Sequence, residues 1–125
     1  MRDKSGASDL PCPCCGFLTL SEAYGSYALC SACGWEDDGV QLANPTSGGG
    51  ANLASLRVAQ VAALQKYPLA MTALVDGRVR ADRWRPLNAD ELAQAEIRRA
   101  VAHGHSPVVV EPEQAYWAIG GDQPL

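Results

Sequence analysis

Five cysteines fall between residues 12 and 33, and four of them form two Cys-x-x-Cys pairs, Cys12/Cys15 and Cys30/Cys33. A pair at this spacing presents two thiolates from one tight turn, whose backbone amides can donate to the sulfurs. Two such turns at the ends of a short hairpin complete a tetrahedron around one Zn²⁺. Gly16 and Gly34 follow the second cysteine of each pair, where the turn needs a residue free to take positive φ. The repeated glycine sets the register and leaves Cys14 outside the ligand set. Four thiolates close the coordination sphere, so the ion is expected to be structural and not catalytic. Cys14 reads as a turn residue facing away from the metal, or else as a reactive thiol that would make the chain a redox protein.

Three other clusters could do chemistry. Trp35-Glu36-Asp37-Asp38-Gly39 reads first as a turn in which Asp side chains bond nearby amides. It reads second as an acidic partner-binding surface with Trp35 as apolar anchor, and only third as a catalytic carboxylate pair. Arg78, Arg80, Arg83 and Arg85 surround Trp84, a mixture that can grip a phosphate backbone and stack a base. The plainer reading is an exposed inter-helix loop whose charges are solvated and partly offset by Asp76 and Asp82. His103 and His105 flank Gly104 and suit a helix C-terminus. No nucleophile motif appears, and Gly48-Gly49-Gly50 lacks the Lys-Ser/Thr of a phosphate loop.

The elements that must position these groups are short. Phe17–Leu20 and Tyr27–Leu29 read as strands joined by a turn at Tyr24-Gly25-Ser26. Asn52 or Ser55 caps a helix running to Lys66, ahead of Pro68. A second helix starts at the Asn88/Glu91 capping pair, carries the apolar stripe Ala93, Ile97, Ala100 and Val101, and closes at Gly104. Val108–Val110 and Ala115–Ile119 are candidate strands.

Composition limits what these elements can build. Among 125 residues, Leu, Ile, Val and Phe supply only about 20%, while Ala alone occurs 20 times. That aliphatic content is near the lower limit for a packed core, so a metal staple would supply part of the stability. The net charge is −4, distributed as −4 over residues 1–51, +3 over 52–105 and −3 over the last twenty. An acidic chain is a poor default binder of nucleic acid. No apolar run approaches the roughly 18 residues of a membrane span, and residues 1–6 show no secretory signal. A cytoplasmic location with reduced thiols is therefore expected, which favours metal ligation over disulfides.

The run Cys12-Pro13-Cys14-Cys15-Gly16, then a hairpin, then Cys30-x-x-Cys33-Gly34-Trp35-Glu36-Asp37-Asp38-Gly39-Val40-Gln41-Leu42-Ala43-Asn44-Pro45 resembles the bacterial cysteine-rich CPCC family. The resemblance continues through Gly49-Gly50-Ala51-Asn52 and Ser55-Leu56, covering about residues 10–60. It implies a zinc-ribbon-like fold and strengthens the metal reading without supplying an activity. The expected fold is α+β: residues 1–10 disordered, a zinc-ribbon-like lobe at 11–47, and a region at 48–125 with two packed helices and a C-terminal β segment. The expected function is non-catalytic protein binding, with Glu36, Asp37 and Asp38 facing a basic partner such as a toxin that this chain would neutralise as an immunity protein. A nucleic-acid-binding zinc ribbon using Arg78 to Arg85 is the alternative, and a thiol redox protein using Cys14 the second.

Overall fold

A computed structural model describes residues 9–101 and 107–120. Two short hairpins carry the cysteines. In the first, β1 (Leu10–Pro11) pairs antiparallel with β2 (Leu18–Leu20), matching Leu10 to Leu20 and Pro11 to Leu18. The second forms no named strand. It is held by Tyr27 N–H to Asp37 O (2.9 Å), Asp37 N–H to Ala28 O (2.9 Å) and Cys30 N–H to Trp35 O (2.8 Å). The expected pairing of Phe17–Leu20 with Tyr27–Leu29 is therefore replaced by two local hairpins, each bracketing its own Cys-x-x-Cys turn. Local closure explains the difference: a turn of four residues returns the chain beside itself before a longer loop can.

A third segment joins this unit from far along the chain. Leu18 N–H donates to Val79 O (2.9 Å), Ala81 N–H donates to Gly16 O (2.9 Å), and Phe17 forms an isolated bridge with Arg80. Residues 79–81 thus lie alongside the first hairpin.

Helix α1 (Gly39–Ala43) is capped by Asp38, whose carboxylate accepts from Val40 N and Gln41 N. Helix α2 (Leu56–Lys66) is capped by Ser55 and ends at Tyr67, ahead of Pro68. Helix α3 (Ala89–Val101) opens on the expected capping box, with Glu91 N–H to Asn88 Oδ1 (2.8 Å) and Asn88 N–H to Glu91 Oε1 (3.0 Å). The expected close at Gly104 lies outside the described residues, as do His103 and His105. The two helices expected from sequence are both present, and Gln60 Oε1 of α2 accepts from Leu87 N–H, just ahead of α3 (3.0 Å).

The α+β class stands, with a different C-terminus. Val108–Val110 has no regular structure, and the Ala115–Ile119 strand is replaced by α4 (Tyr116–Gly120). Pro112 explains this. It sits at the start of a 3₁₀ turn (Pro112–Gln114) with Glu111 and Gln114 as a capping box, and that turn leads into α4. The core gathers Cys12, Cys15, Phe17, Leu20 and Leu56 with Trp35, Trp84, Trp117 and Tyr24. Aromatic rings and sulfur replace the scarce aliphatics. Among the described residues no helix is long and apolar enough to cross a membrane.

Candidate metal centre

The Sγ atoms of Cys12, Cys15, Cys30 and Cys33 all lie within 4.8 Å of one another. The closest approaches cross between turns, Cys12 to Cys33 at 3.6 Å and Cys15 to Cys30 at 3.7 Å. A metal–sulfur bond of about 2.3 Å in a tetrahedron requires sulfur–sulfur edges of about 3.8 Å. The donor set therefore fits one tetrahedral ion. All five cysteines are free of disulfides.

The turns themselves polarise the sulfurs. Cys14 N–H donates to Cys12 Sγ (3.4 Å), and Ala32 N–H and Cys33 N–H donate to Cys30 Sγ (3.3 and 3.5 Å). The Thr19 hydroxyl donates to Cys30 Sγ at 3.1 Å, a side-chain contribution invisible in the cysteine spacing. Electrostatics set the metal-free state. Burial pushes the Cys12 thiol well up, while hydrogen bonds from its neighbours, Cys12 first, bring Cys30 down to about 6 and lower Cys33 as well. The cluster without metal shares its protons because several buried thiolates repel one another. A divalent cation reverses that balance.

Cys14 is 3% exposed, against the accessibility that a reactive thiol needs. A hydrogen bond to Cys33 and burial push its thiol up, away from the thiolate form. It lines a cavity between the second turn and α2, beside Cys33 and Ala63.

The acidic surface is a correction. Asp37 is 0% exposed, and Trp35 and Asp38 are buried too; only Glu36 is partly accessible. Asp37 Oδ2 accepts from Ser26 N–H (3.1 Å) and the Ser26 hydroxyl (2.8 Å), closing the loop that enters the second hairpin. Asp38 Oδ2 accepts from Ala51 N–H at 3.0 Å while Oδ1 caps α1. Gln41, also buried, donates to Ser47 O (3.1 Å) and Asn52 O (3.1 Å) and accepts from Asn52 N–H (3.0 Å). Asn52 in turn bonds both the N–H and C=O of Glu36. The residues from Asp37 to Asn52 form a buried polar buckle. A Cβ at Gly50 would stand 2.6 Å from Asp38 Oδ2, so the glycine admits the carboxylate. These aspartates hold chain segments together, and the turn reading describes them better.

The arginine stretch is a second correction, and it also departs from the plain loop reading. Arg80 is 6% exposed. Its guanidinium donates to Cys15 O, Pro68 O, Met71 O and Tyr67 O at 2.8–2.9 Å and lies 4.5 Å from the Phe17 ring centre. The planar fork suits this job, because one side chain can satisfy several carbonyls in fixed directions. Burial lowers its pKa. Trp84 is buried against Gly16, and its indole N–H donates to Pro13 O at 3.3 Å. Arg85 makes a two-pronged bond to Glu91 (2.8 and 2.7 Å), and Arg78 pairs with Asp76 at 2.8 Å and bonds Ser31. Arg83 alone of the four is an exposed residue. A nucleic-acid surface built on Arg80 and Trp84 is therefore not presented.

Gln60 and Tyr67 carry no motif that singles them out in the sequence. Gln60 Nε2 donates to Pro13 O (2.9 Å) and to Tyr116 Oη (2.7 Å), and Tyr67 donates to Ala32 O (3.1 Å). The one available signal was a glutamine within an otherwise apolar helical face. A family model described as Cysteine-rich CPCC matches residues 10–76. No curated protein matches the chain significantly.

Proposed function

Since the chain belongs to the cysteine-rich CPCC family, we propose that it is a structural zinc protein and a non-catalytic protein-binding module. The gathering of four sulfurs within 4.8 Å carries the reading. Zn²⁺ favours a tetrahedral all-thiolate site and has no redox chemistry of its own. When bound, it supplies a cross-link between the two turns and cancels their thiolate charge. Cys12, Cys15 and Cys30 would hold it from buried positions and Cys33 from a partly exposed one. Four protein ligands leave no open position for water or substrate, which supports a non-catalytic role. The burial of Asp37 and Asp38 gives no support to an acidic face there, so the reading stops at a protein-binding module and names no toxin.

Elemental analysis of the protein purified without added metal should find one zinc per chain. Chelation should abolish a cooperative thermal transition. Iron in place of zinc, seen as a coloured thiolate charge-transfer band, would overturn the zinc assignment. A chain that melts identically after complete metal removal would overturn the structural role.

A further inference from the structure

We infer that Cys33 is a site of oxidative modification, and that a peroxide joins it to Cys14 in a disulfide that takes one ligand from the zinc. The inference rests on the metal half of the proposed function and gives that structural site a chemical release. Of the four ligands, Cys12, Cys15 and Cys30 are buried and Cys33 alone is partly exposed. The sulfurs also differ in the donors around them. Cys12 Sγ accepts from Cys14 N–H at 3.4 Å, and Cys30 Sγ accepts from the Thr19 hydroxyl at 3.1 Å and from the amides of Ala32 and Cys33. The hydrogen-bond partners of Cys33 are themselves thiols, and among the described residues no amide donates to its sulfur. Donors draw charge from a ligating sulfur and lower its nucleophilicity. Cys33 is thus both the reachable ligand and one that no amide quiets.

The group that receives the oxidised sulfur is already in place. Cys14 stands outside the ligand set, so its lone pairs are not committed to the metal. It hydrogen-bonds Cys33, and both residues line one cavity of about 310 Å³ between the second turn and α2. Ala59, Ala62 and Ala63 on the α2 side keep that space open, with ample room for a molecule as small as hydrogen peroxide. The burial of Cys14, at 3% exposure, suits this second role. A resolving thiol attacks from within the fold and needs no access of its own. Cys12 is the competitor, with its sulfur 3.6 Å from that of Cys33, but as a ligand it has its nucleophilic pair on the metal.

The steps balance. The Cys33 sulfur attacks one peroxide oxygen; an S–O bond forms, the O–O bond breaks and hydroxide leaves, giving a sulfenic acid. Cys14 then attacks that sulfur; the S–S bond forms, the S–O bond breaks, and the oxygen departs with the Cys14 proton as water. The two sulfurs give up two electrons and the peroxide takes both. Cys12, Cys15 and Cys30 remain as buried ligands, with one place vacated.

The test treats the zinc-loaded full chain with hydrogen peroxide in the absence of reductant, blocks the remaining thiols with N-ethylmaleimide and maps disulfides by peptide mass. A Cys14–Cys33 disulfide should form. Zinc should then pass to a colorimetric chelator at least about 10-fold faster than from untreated protein, since losing an outer partner alone weakens such sites by about that factor. Cys14→Ala should still load zinc, and under peroxide should show Cys33 as a sulfenic acid trapped by dimedone. A wild-type disulfide joining Cys33 to Cys12 overturns the proposal, as does a treated protein whose Cys14 stays open to alkylation. Either result on protein that purified with its zinc leaves the proposed function standing, whereas protein without zinc overturns both. The wild-type map decides by itself if Cys14→Ala does not fold.

Discussion

Cys12 N–H donates to Phe17 O at 2.9 Å and Gly16 N–H to Cys12 O at 2.7 Å; eighteen residues on, Cys30 N–H donates to Trp35 O at 2.8 Å and Gly34 N–H to Cys30 O at 2.9 Å. Gly16 and Gly34 take φ of +82° and +86°. The backbone is the same turn made twice. The surroundings are not. The first turn is buried from Cys12 to Phe17, under Trp84, Gln60 and Arg80, whereas Ser31 and Gly34 of the second are exposed and Cys33 half-exposed. Geometry around a metal ligand is a property of five or six residues, while burial is conferred by residues arriving from elsewhere in the chain. Two identical turns therefore differ in how much the rest of the protein depends on them.

That contrast can be broken by substitution. The largest effect is expected for Cys12→Ser, which removes a fully buried ligand and puts at risk structural-zinc binding energy of about 10–16 kcal/mol. The variant should purify without zinc and show no cooperative melt. Cys33→Ser, at the open side where water can take the vacant place, should keep measurable zinc and a lowered melting temperature. Equal loss in both would abolish the distinction between the turns.

Next come the two glycines. A Cβ at Gly16 would sit 2.4 Å from the Trp84 ring, while one at Gly34 meets nothing within 4 Å. Gly16→Ala combines overpacking with a left-handed backbone and should cost about 3 kcal/mol or more; Gly34→Ala carries only the backbone penalty, about 1 kcal/mol. Denaturant midpoints at constant slope measure the difference.

The arginines repeat the test. Arg80→Ala takes one donor from each of four carbonyls and should cost about 3 kcal/mol; Arg80→Lys should rescue little of it, since an ammonium cannot reproduce the fork. Arg78→Ala, near the exposed turn, should leave the unfolding midpoint unchanged within error. The smallest predicted effect is Thr19→Val, which removes one hydrogen bond to Cys30 Sγ. It should weaken zinc about 10-fold in a chelator competition without changing the fold.

The metal site was legible in the sequence because its geometry is local. Cysteine spacing and the glycine that follows each pair named four ligands, and the structure brings those four together. Capping signals at Ser55 and Asn88 placed two helices for the same reason. What escaped was every role assigned by packing. Arg80 looks like its neighbours Arg78 and Arg83, and nothing within a few residues reveals that four carbonyls converge on it. Asp37 and Asp38 look like a surface turn until Ala51 and Ser26 arrive to bond them. Ala115–Ile119 has strand-like composition, yet Pro112 and its capping pair start a helical path first. The stripe on α3 is visible in the sequence, but periodicity does not say which face meets the core.

The distance along the chain between Cys33 and Arg80 also has a meaning in time. A polypeptide is made from its N-terminus, so all four sulfurs exist before any residue that shelters the first turn has been added. At about 5–20 residues per second, the nascent chain spends seconds with a complete set of ligands and no roof over Cys12, Cys15 or Gly16. Metal capture during synthesis would come first, and the arrival of Arg80 and Trp84 would then close an occupied site. The ion in that sequence of events acts as the seed of the core, and the late residues act as its lock.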